Sequence, residues 1–204
     1  RMKFTRMQLE ALKELANMGS AHAATSLSRI IGSSVNMTVP DVRLLDISDL
    51  GTVMGDEVAT MVVFELQGDL PHGGFLLLHF SRESASKMAA VMCGVSSCDS
   101  PVSELMKSAL VEAGNIMVSS FLNASSELLG IMMLPSPPYL VTDILHATVQ
   151  SLVVGMGVDL DDILVFRIQL TSPEYRIEGN IVLLIEESTL QKVAEILESM
   201  VGNP

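Results

Sequence analysis

Residues 11–40 read ALKELANMGSAHAATSLSRIIGSSVNMTVP, and residues 109–138 read ALVEAGNIMVSSFLNASSELLGIMMLPSPP. The two stretches align without gaps at an offset of 98 and are identical at seven of thirty positions, where chance gives about two. Similarity at one fixed spacing is the signature of an internal repeat. The chain is therefore predicted to consist of two related halves, residues 1–98 and 99–204. The shared residues are Ala11/Ala109, Leu12/Leu110, Glu14/Glu112, Asn17/Asn115, Ser28/Ser126, Gly32/Gly130 and Pro40/Pro138.

The apolar periodicity predicts one order of elements in both halves, namely helix, helix, strand, strand, strand, helix. In the first half the predicted helices span about 5–18, 20–32 and 82–93, and the predicted strands about 36–46, 58–67 and 73–80. In the second half the helices span about 102–118, 119–130 and 188–201, and the strands about 139–150, 161–170 and 177–186.

The links between these strands are short, and short links favour antiparallel pairing. We therefore expect an α+β fold in which an antiparallel sheet packs against helices. The joint between the halves is predicted at Cys93–Pro101, because this segment is small, polar and ends in proline, and Ser103 provides a start for the next helix. A sheet shared by both halves would bury more surface than two separate ones, so we expect a single pseudo-two-fold domain over residues 1–204.

The composition narrows the class of protein. Hydrophobic residues make up 49% of the chain and charged residues 18%, which is typical of a packed globular protein. With 24 acidic and 12 basic residues, the net charge of −12 argues against binding to nucleic acid or anionic lipid. The apolar runs are too short to cross a bilayer, and residues 1–8 do not resemble a secretory signal, so we expect a cytoplasmic protein.

One face of the first predicted helix is polar. At 100° per residue, Glu10, Glu14 and Asn17 fall within one narrow stripe, here called the first stripe. The apolar residues of this helix lie roughly opposite, so the stripe should face solvent. A second stripe repeats the pattern on the corresponding helix with Ser108, Glu112 and Asn115, and the residues expected on the apolar faces are Phe4, Leu12, Leu15, Met18, Met106, Leu110 and Met117.

Retention of both Glu and Asn in a repeat this divergent points to a function, although a single Glu-x-x-Asn is usually an ordinary solvated pair. A carboxamide can accept a hydrogen bond from water and donate another, which suits it to hold a water in line with a phosphorus atom. The chain has no P-loop and no basic cluster beside either stripe. The metal and the cations that phosphoryl transfer needs would then have to come from the substrate protein.

The spacing resembles that of the CheC, FliY and CheX family of chemotaxis phosphatases, whose pattern is Ser/Asp-x3-Glu-x2-Asn-x22-Pro. Ser108, Glu112, Asn115 and Pro138 match it in full, and Glu14, Asn17 and Pro40 match it from the glutamate onward. The duplication extends the resemblance, which is closest to CheC, over nearly the whole chain. We expect Pro40 and Pro138 to set the first strand of each half and to have a positional role.

The resemblance implies hydrolysis of the aspartyl phosphate on the response regulator CheY. It implies that Asn17 and Asn115 orient the attacking water and that Glu14 and Glu112 each contact a lysine of the regulator. No cofactor is expected on this chain, since the regulator would carry its own Mg²⁺. The receptor deamidase CheD is implied as a second partner.

Two departures distinguish the first stripe. Glu10 replaces the usual Ser or Asp and adds negative charge near a phosphate, and Ala16 stands where Gly114 precedes the second asparagine. We therefore expect the second site to be the more active. The alternatives are a CheD-binding adaptor or switch-like scaffold with little turnover, and a small-molecule sensor.

The remaining reactive side chains do not form a recognisable site. Cys93 and Cys98 fit neither a zinc site nor a disulfide framework, and Ser28 and Ser126 lack the context of a nucleophile. No metal site is expected on this chain, because the four histidines lie far apart on different predicted elements. They are His22, His72, His79 and His146.

Overall fold

The computed structural model describes residues 3–96 and 103–201. In chain order its elements are α1 (Arg6–Ile31), β1 (Asn36–Asp46), a 3-10 turn (Ile47–Asp49), α2 (Leu50–Met54), β2 (Val58–Gly68), β3 (Gly74–Ser81) and α3 (Arg82–Cys93), followed by α4 (Glu104–Leu129), β4 (Met133–Pro135), β5 (Tyr139–Ile144), α5 (Leu145–Met156), β6 (Asp162–Thr171), β7 (Arg176–Ile185) and α6 (Glu187–Val201). The protein is α+β, as predicted.

The seven strands form one antiparallel sheet in the order β1-β6-β7-β3-β2-β4, and β5 also pairs with β2. The order is symmetric about the β7–β3 pair. Going outward from that pair, β6 and β2 are equivalent strands of the two halves, and so are β1 and β5. The outer strand of each half thus pairs with a strand of the other half, which produces the pseudo-two-fold sheet.

Helices cover both faces of the sheet. The larger apolar layer lies under α1, α3, α4 and α6 and includes Phe64, Leu78 and Phe166. The smaller layer, on the opposite face, lies under α2 and α5 and includes Met61, Leu77 and Val182. Because β2, β3, β6 and β7 are apolar on both faces, they form the centre of the sheet.

The prediction of two helices at the start of each half was wrong. Residues 6–31 and residues 104–129 each form a single helix of 26 residues. The first begins after Thr5, which forms a capping box with Gln8, and the second begins after Ser103, the predicted N-cap. The predicted break at Gly19 is instead a point of close contact between helices. A Cβ atom at this position would lie 3.0 Å from the Cα atom of Phe121 on α4.

The predicted strand 139–150 was also wrong in its second part. The chain leaves β5 at Ile144 and continues as α5. The segment is short and rich in apolar and β-branched residues, and the periodicity of such a run does not separate helix from strand. The short elements α2 and β4 were not predicted.

The predicted joint Cys93–Pro101 falls largely outside the described residues, which also exclude Cys98. Cys93 is half-buried at the end of α3. None of the helices in the described parts of the chain is both long and apolar enough to span a membrane.

Candidate active site

Both polar stripes lie on the exposed sides of α1 and α4. Glu10, Glu14, Ser108 and Glu112 are exposed, and each asparagine is half-buried at the edge where the helix meets the sheet. The apolar residues expected opposite are buried, with the exceptions of Phe4, which is half-buried, and Met18. Met18 is 55% exposed, which contradicts its predicted place on the apolar face.

Asn17 is held by three hydrogen bonds to the backbone. Its Nδ2 donates to the carbonyl oxygens of Lys13 and Val39, each at 3.0 Å. Its Oδ1 accepts from the backbone N–H of Val39 at 2.8 Å. Both amide hydrogens are therefore engaged, and the carboxamide joins α1 to the strand 22 residues further along the chain.

The strand residue that Asn17 holds lies in a β-bulge. Thr38 pairs with Gln169 and Asp41 pairs with Arg167, so two residues of β1, Val39 and Pro40, face a single residue of β6. A bulge leaves backbone groups without ladder partners, and the Asn17 carboxamide satisfies both groups of Val39. Pro40, expected to set the first strand, stands inside β1 at this bulge, and Pro138 directly precedes β5.

Asn115 differs from Asn17. Among the described residues, no hydrogen bond joins its carboxamide to another protein group, and neither polar atom is buried without a partner. Its oxygen and nitrogen are therefore accessible to water. Glu112 lies one turn earlier on the exposed face of α4. Gly114, directly before Asn115, packs closely against β2, since a Cβ atom at this position would lie 3.0 Å from Val62 Cγ1.

The charges around the stripes also differ. In the first stripe, Lys13 Nζ lies 2.6 Å from Glu10 Oε2. The pKa of Lys13 is raised, first by its hydrogen bond to Glu10 and also by the charges of Glu14 and Asp41. The first site thus holds a cation of its own beside Glu14. The positions equivalent to Lys13 and Asp41 in the second half are Val111 and Tyr139, both uncharged.

The other candidates remain apart from the stripes. His72 Nδ1 contacts Glu186 Oε2 at 2.5 Å, and His79 lies 3.2 Å from Asn180 on the smaller-layer face of the sheet. Ser28 bonds the backbone of Val35 with its hydroxyl and acts as a structural residue. Within residues 3–96 and 103–201, no three His, Cys, Asp or Glu side chains are grouped closely enough to hold a metal ion.

Comparison with known proteins shows the family to which the chain belongs. The model of the CheC-like family matches residues 7–43 and 105–141, two stretches of equal length that begin 98 residues apart and contain both stripes. CheC1 of Halobacterium salinarum is 32% identical over 135 residues, which cover 66% of this chain and 68% of that protein. The chain belongs to the CheC-like family. The Bacillus subtilis protein named CheY-P phosphatase CheC is 26% identical over 149 residues, 71% of this chain and 70% of its own length.

Solved structures share the CheC-like fold. FliY of Thermotoga maritima superposes with a TM-score of 0.76 at 24% identity and covers 97% of this chain and 99% of its own. The middle domain of FliM from H. pylori has a TM-score of 0.66 at 13% identity, covering 94% and 99%. CheX of Desulfovibrio desulfuricans has a TM-score of 0.55 at 14% identity, covering 85% and 99%. At these identities the likeness concerns the fold.

Proposed function

We propose that this protein is a phosphatase for the aspartyl phosphate of a CheY-like response regulator, and that its second site provides most of the turnover. The observation that carries the proposal is the free, water-accessible carboxamide of Asn115, which lies one turn from the exposed Glu112 on a rigid helix. The name of the B. subtilis relative supports the same substrate.

In this reaction the oxygen of a water attacks phosphorus as the bond to the regulator's aspartate breaks, releasing inorganic phosphate and a carboxylate. Asn115 Oδ1 would accept a hydrogen bond from the water and Nδ2 would donate to an oxygen nearby, which fixes the water in line. Glu112 would pair with a lysine of the regulator. The regulator would also supply Mg²⁺, which neutralises the phosphoryl charge.

The first site is less suited to this reaction. Both Nδ2 hydrogens of Asn17 are used by Lys13 and Val39, and one of the two lone pairs of its Oδ1 is used by the Val39 N–H. Asn17 would have to break one of these bonds before Nδ2 could donate to an oxygen near the water. Lys13 also stands near Glu14 and would compete with a lysine of the regulator. Two features of the site itself therefore support the order of activities that Glu10 and Ala16 suggested from the sequence.

The test measures the rate at which a ³²P-labelled CheY-like response regulator (the phospho-receiver) loses its phosphate in the presence of Mg²⁺. The rate is compared for the wild type, Asn17→Ala, Asn115→Ala and the double variant. We expect Asn115→Ala to reduce the acceleration at least tenfold, since one positioned polar group contributes factors of about 10². Asn17→Ala should reduce it less than about twofold, at a temperature where circular dichroism shows that both variants are folded.

Two results would count against the proposal. If the wild type left the decay unchanged, with or without a CheD-like deamidase, the adaptor or scaffold alternative would replace it. If Asn17→Ala reduced turnover more than Asn115→Ala, the enzyme assignment would stand and the order of the two sites would be wrong.

A further inference from the structure

The two motif asparagines differ in the residue that precedes the motif proline. In the first half that residue is Val39, and it provides both a donor and an acceptor to the Asn17 carboxamide. The bond to the N–H group is the shorter of the two, at 2.8 Å. These two bonds between Asn17 and Val39 are here called the lock, and one of them requires a backbone N–H at this position.

The second half has the same bulge. Leu66 pairs with Pro135 and Val63 pairs with Tyr139, so two residues of β2 face three residues, 136–138. The ladder thus gains one residue at the same place as in β1, just before the position equivalent to Asp41. Pro137 is the structural equivalent of Val39, in agreement with the offset of 98 in the sequence.

Proline has no backbone N–H, so Pro137 cannot donate to Asn115 Oδ1. The carbonyl oxygen of Pro137 accepts a bond of 3.4 Å from the Ser136 hydroxyl instead. The lock that holds Asn17 is therefore incomplete in the second half. Of the three bonds that hold Asn17, this is the one that the sequence of the second half makes impossible.

We infer that Pro137 is a positioning residue, which keeps Asn115 available to the substrate by removing the N–H that would otherwise bind it, while Val39 holds Asn17 in an inactive, structural role. The inference rests on the proposed function for its effect on turnover. Its structural part, the lock, can be measured without any substrate.

The first experiment is NMR of the ¹⁵N-labelled full chain, with the side-chain amide signals of both asparagines assigned. In the wild type both Nδ2 hydrogens of Asn17 are hydrogen-bonded, whereas those of Asn115 bond no group of the described residues. The hydrogens of Asn17 should therefore exchange with water at least about tenfold more slowly. Pro137→Val restores the N–H that can donate to Asn115 Oδ1, which would bring Nδ2 against the carbonyl oxygen of residue 137 as in the first half. Exchange of the Nδ2 hydrogens of Asn115 should then slow several-fold. Pro137 is exposed, so this change does not disturb the core.

The second experiment is turnover of phospho-receiver in an Asn17→Ala background, where only the second site acts. Pro137→Val should lower kcat by roughly fivefold to tenfold, as expected for a hydrogen bond that must be broken first, with little change in KM. Pro137→Ala supplies the same N–H with a smaller side chain and should behave alike. Pro173→Ala, at an exposed turn proline between β6 and β7, is the matched control and should leave both readouts unchanged.

The outcomes separate the two claims. If the wild type has no phosphatase activity, the proposed function fails, while slowed Asn115 exchange in Pro137→Val still supports the lock. Unchanged Asn115 exchange in both Pro137 variants overturns the inference, whatever the activity. Slowed exchange with unchanged kcat also overturns it, because a locked Asn115 would then act as well as a free one.

Discussion

At the scale of single residues, the two asparagines of the repeat have different hydrogen-bond partners. Asn17 satisfies two backbone groups of Val39, a residue that is 1% exposed, whereas Asn115 bonds no group of the described chain. Leaving a buried donor without a partner costs about 1–3 kcal/mol. The same side chain is thus bonded to a strand in one half and to no group of the described chain in the other.

Alanine substitution should therefore lower mainly the stability at Asn17 and mainly the activity at Asn115. Asn17→Ala should lower the free energy of unfolding by about 2 kcal/mol, less a few tenths gained in helix propensity. Asn115→Ala should change it by less than about 0.5 kcal/mol. Denaturant unfolding followed by circular dichroism measures both, and an equal loss of stability in the two variants would show that Asn17 holds no bulge.

His79 makes the stability of the fold depend on pH. Burial lowers its pKa to about 4, and Asn180 Nδ2, 3.2 Å from Nδ1, is placed to donate to the neutral ring. The unfolded chain binds this proton near pH 6.5 and the folded chain only near pH 4, so the stability from His79 is complete above pH 6.5 and is lost as the pH falls toward 4.

Between pH 7 and pH 5 the wild type should lose about 2 kcal/mol more stability than His79→Gln, which cannot take up a proton in this range. Urea unfolding at the two pH values measures the difference. Parallel losses in the two proteins would mean that the ring is not shielded from water in the folded state.

The exposure of the glutamates and of Ser108 followed from the helical wheel, because it depends only on local geometry, whereas both asparagines are half-buried. The bonding of Asn17 did not, since its partner lies 22 residues away in a bulge that no sequence pattern announced. The signal in the sequence was the pair Pro137-Pro138 in the second repeat, where the first repeat has Val39-Pro40. Its meaning depends on which backbone groups the fold brings to the asparagine, and only the structure shows that.

At the scale of elements, the contact between α1 and α4 depends on Gly19. A Cβ atom there would lie 3.0 Å from the Cα atom of Phe121, which belongs to the backbone and cannot rotate away. Gly19→Ala should therefore push the helices apart and lower stability by about 1–2 kcal/mol, despite the better helix propensity of alanine.

Gly155, in α5, is the matched control, because a Cβ atom at this position has nothing within 4 Å. Gly155→Ala should raise stability by about 0.5 kcal/mol through helix propensity alone. Thermal or urea unfolding of both variants gives the signs. Stabilisation by Gly19→Ala would show that the two helices are not in close contact at this point.

The elements that were predicted well are those with a single plausible reading. The strands β2, β3, β6 and β7 contain apolar runs of strand length, and β1 begins with alternating exposed and buried residues. All five lie within one or two residues of their predicted ends. The long helices were divided at Gly19 and after Val118, where the sequence offers small or polar residues. Packing between α1 and α4 selects such residues too, so local propensity was a poor guide there.

At the scale of the whole molecule, the two halves exchange their outer strands. The first half keeps the β2–β3 pair and gives β1 to β6, and the second keeps the β6–β7 pair and gives β5 to β2. The first half by itself therefore has one hairpin and one strand without a partner, and the second has one hairpin and two such strands, because β4 also pairs with β2. The order of elements along the chain was predictable from the repeat, but the exchange was not, because pairing between halves leaves no periodic signal.

This exchange predicts that the halves fold only together. Fragments 1–98 and 99–204, expressed separately, should each lack a cooperative unfolding transition, since β1 and β5 have lost their partners and a lone hairpin with its helices has an incomplete core. An equimolar mixture should regain dispersed amide signals and a single unfolding transition. The midpoint of this transition should rise with protein concentration, as mass action requires for an assembled pair.

Circular dichroism and ¹⁵N NMR of the fragments, with the intact chain as reference, provide the measurement. Native-like spectra and cooperative unfolding of either fragment alone would instead make the halves two independent domains, and the shared sheet would then be a docking arrangement between them.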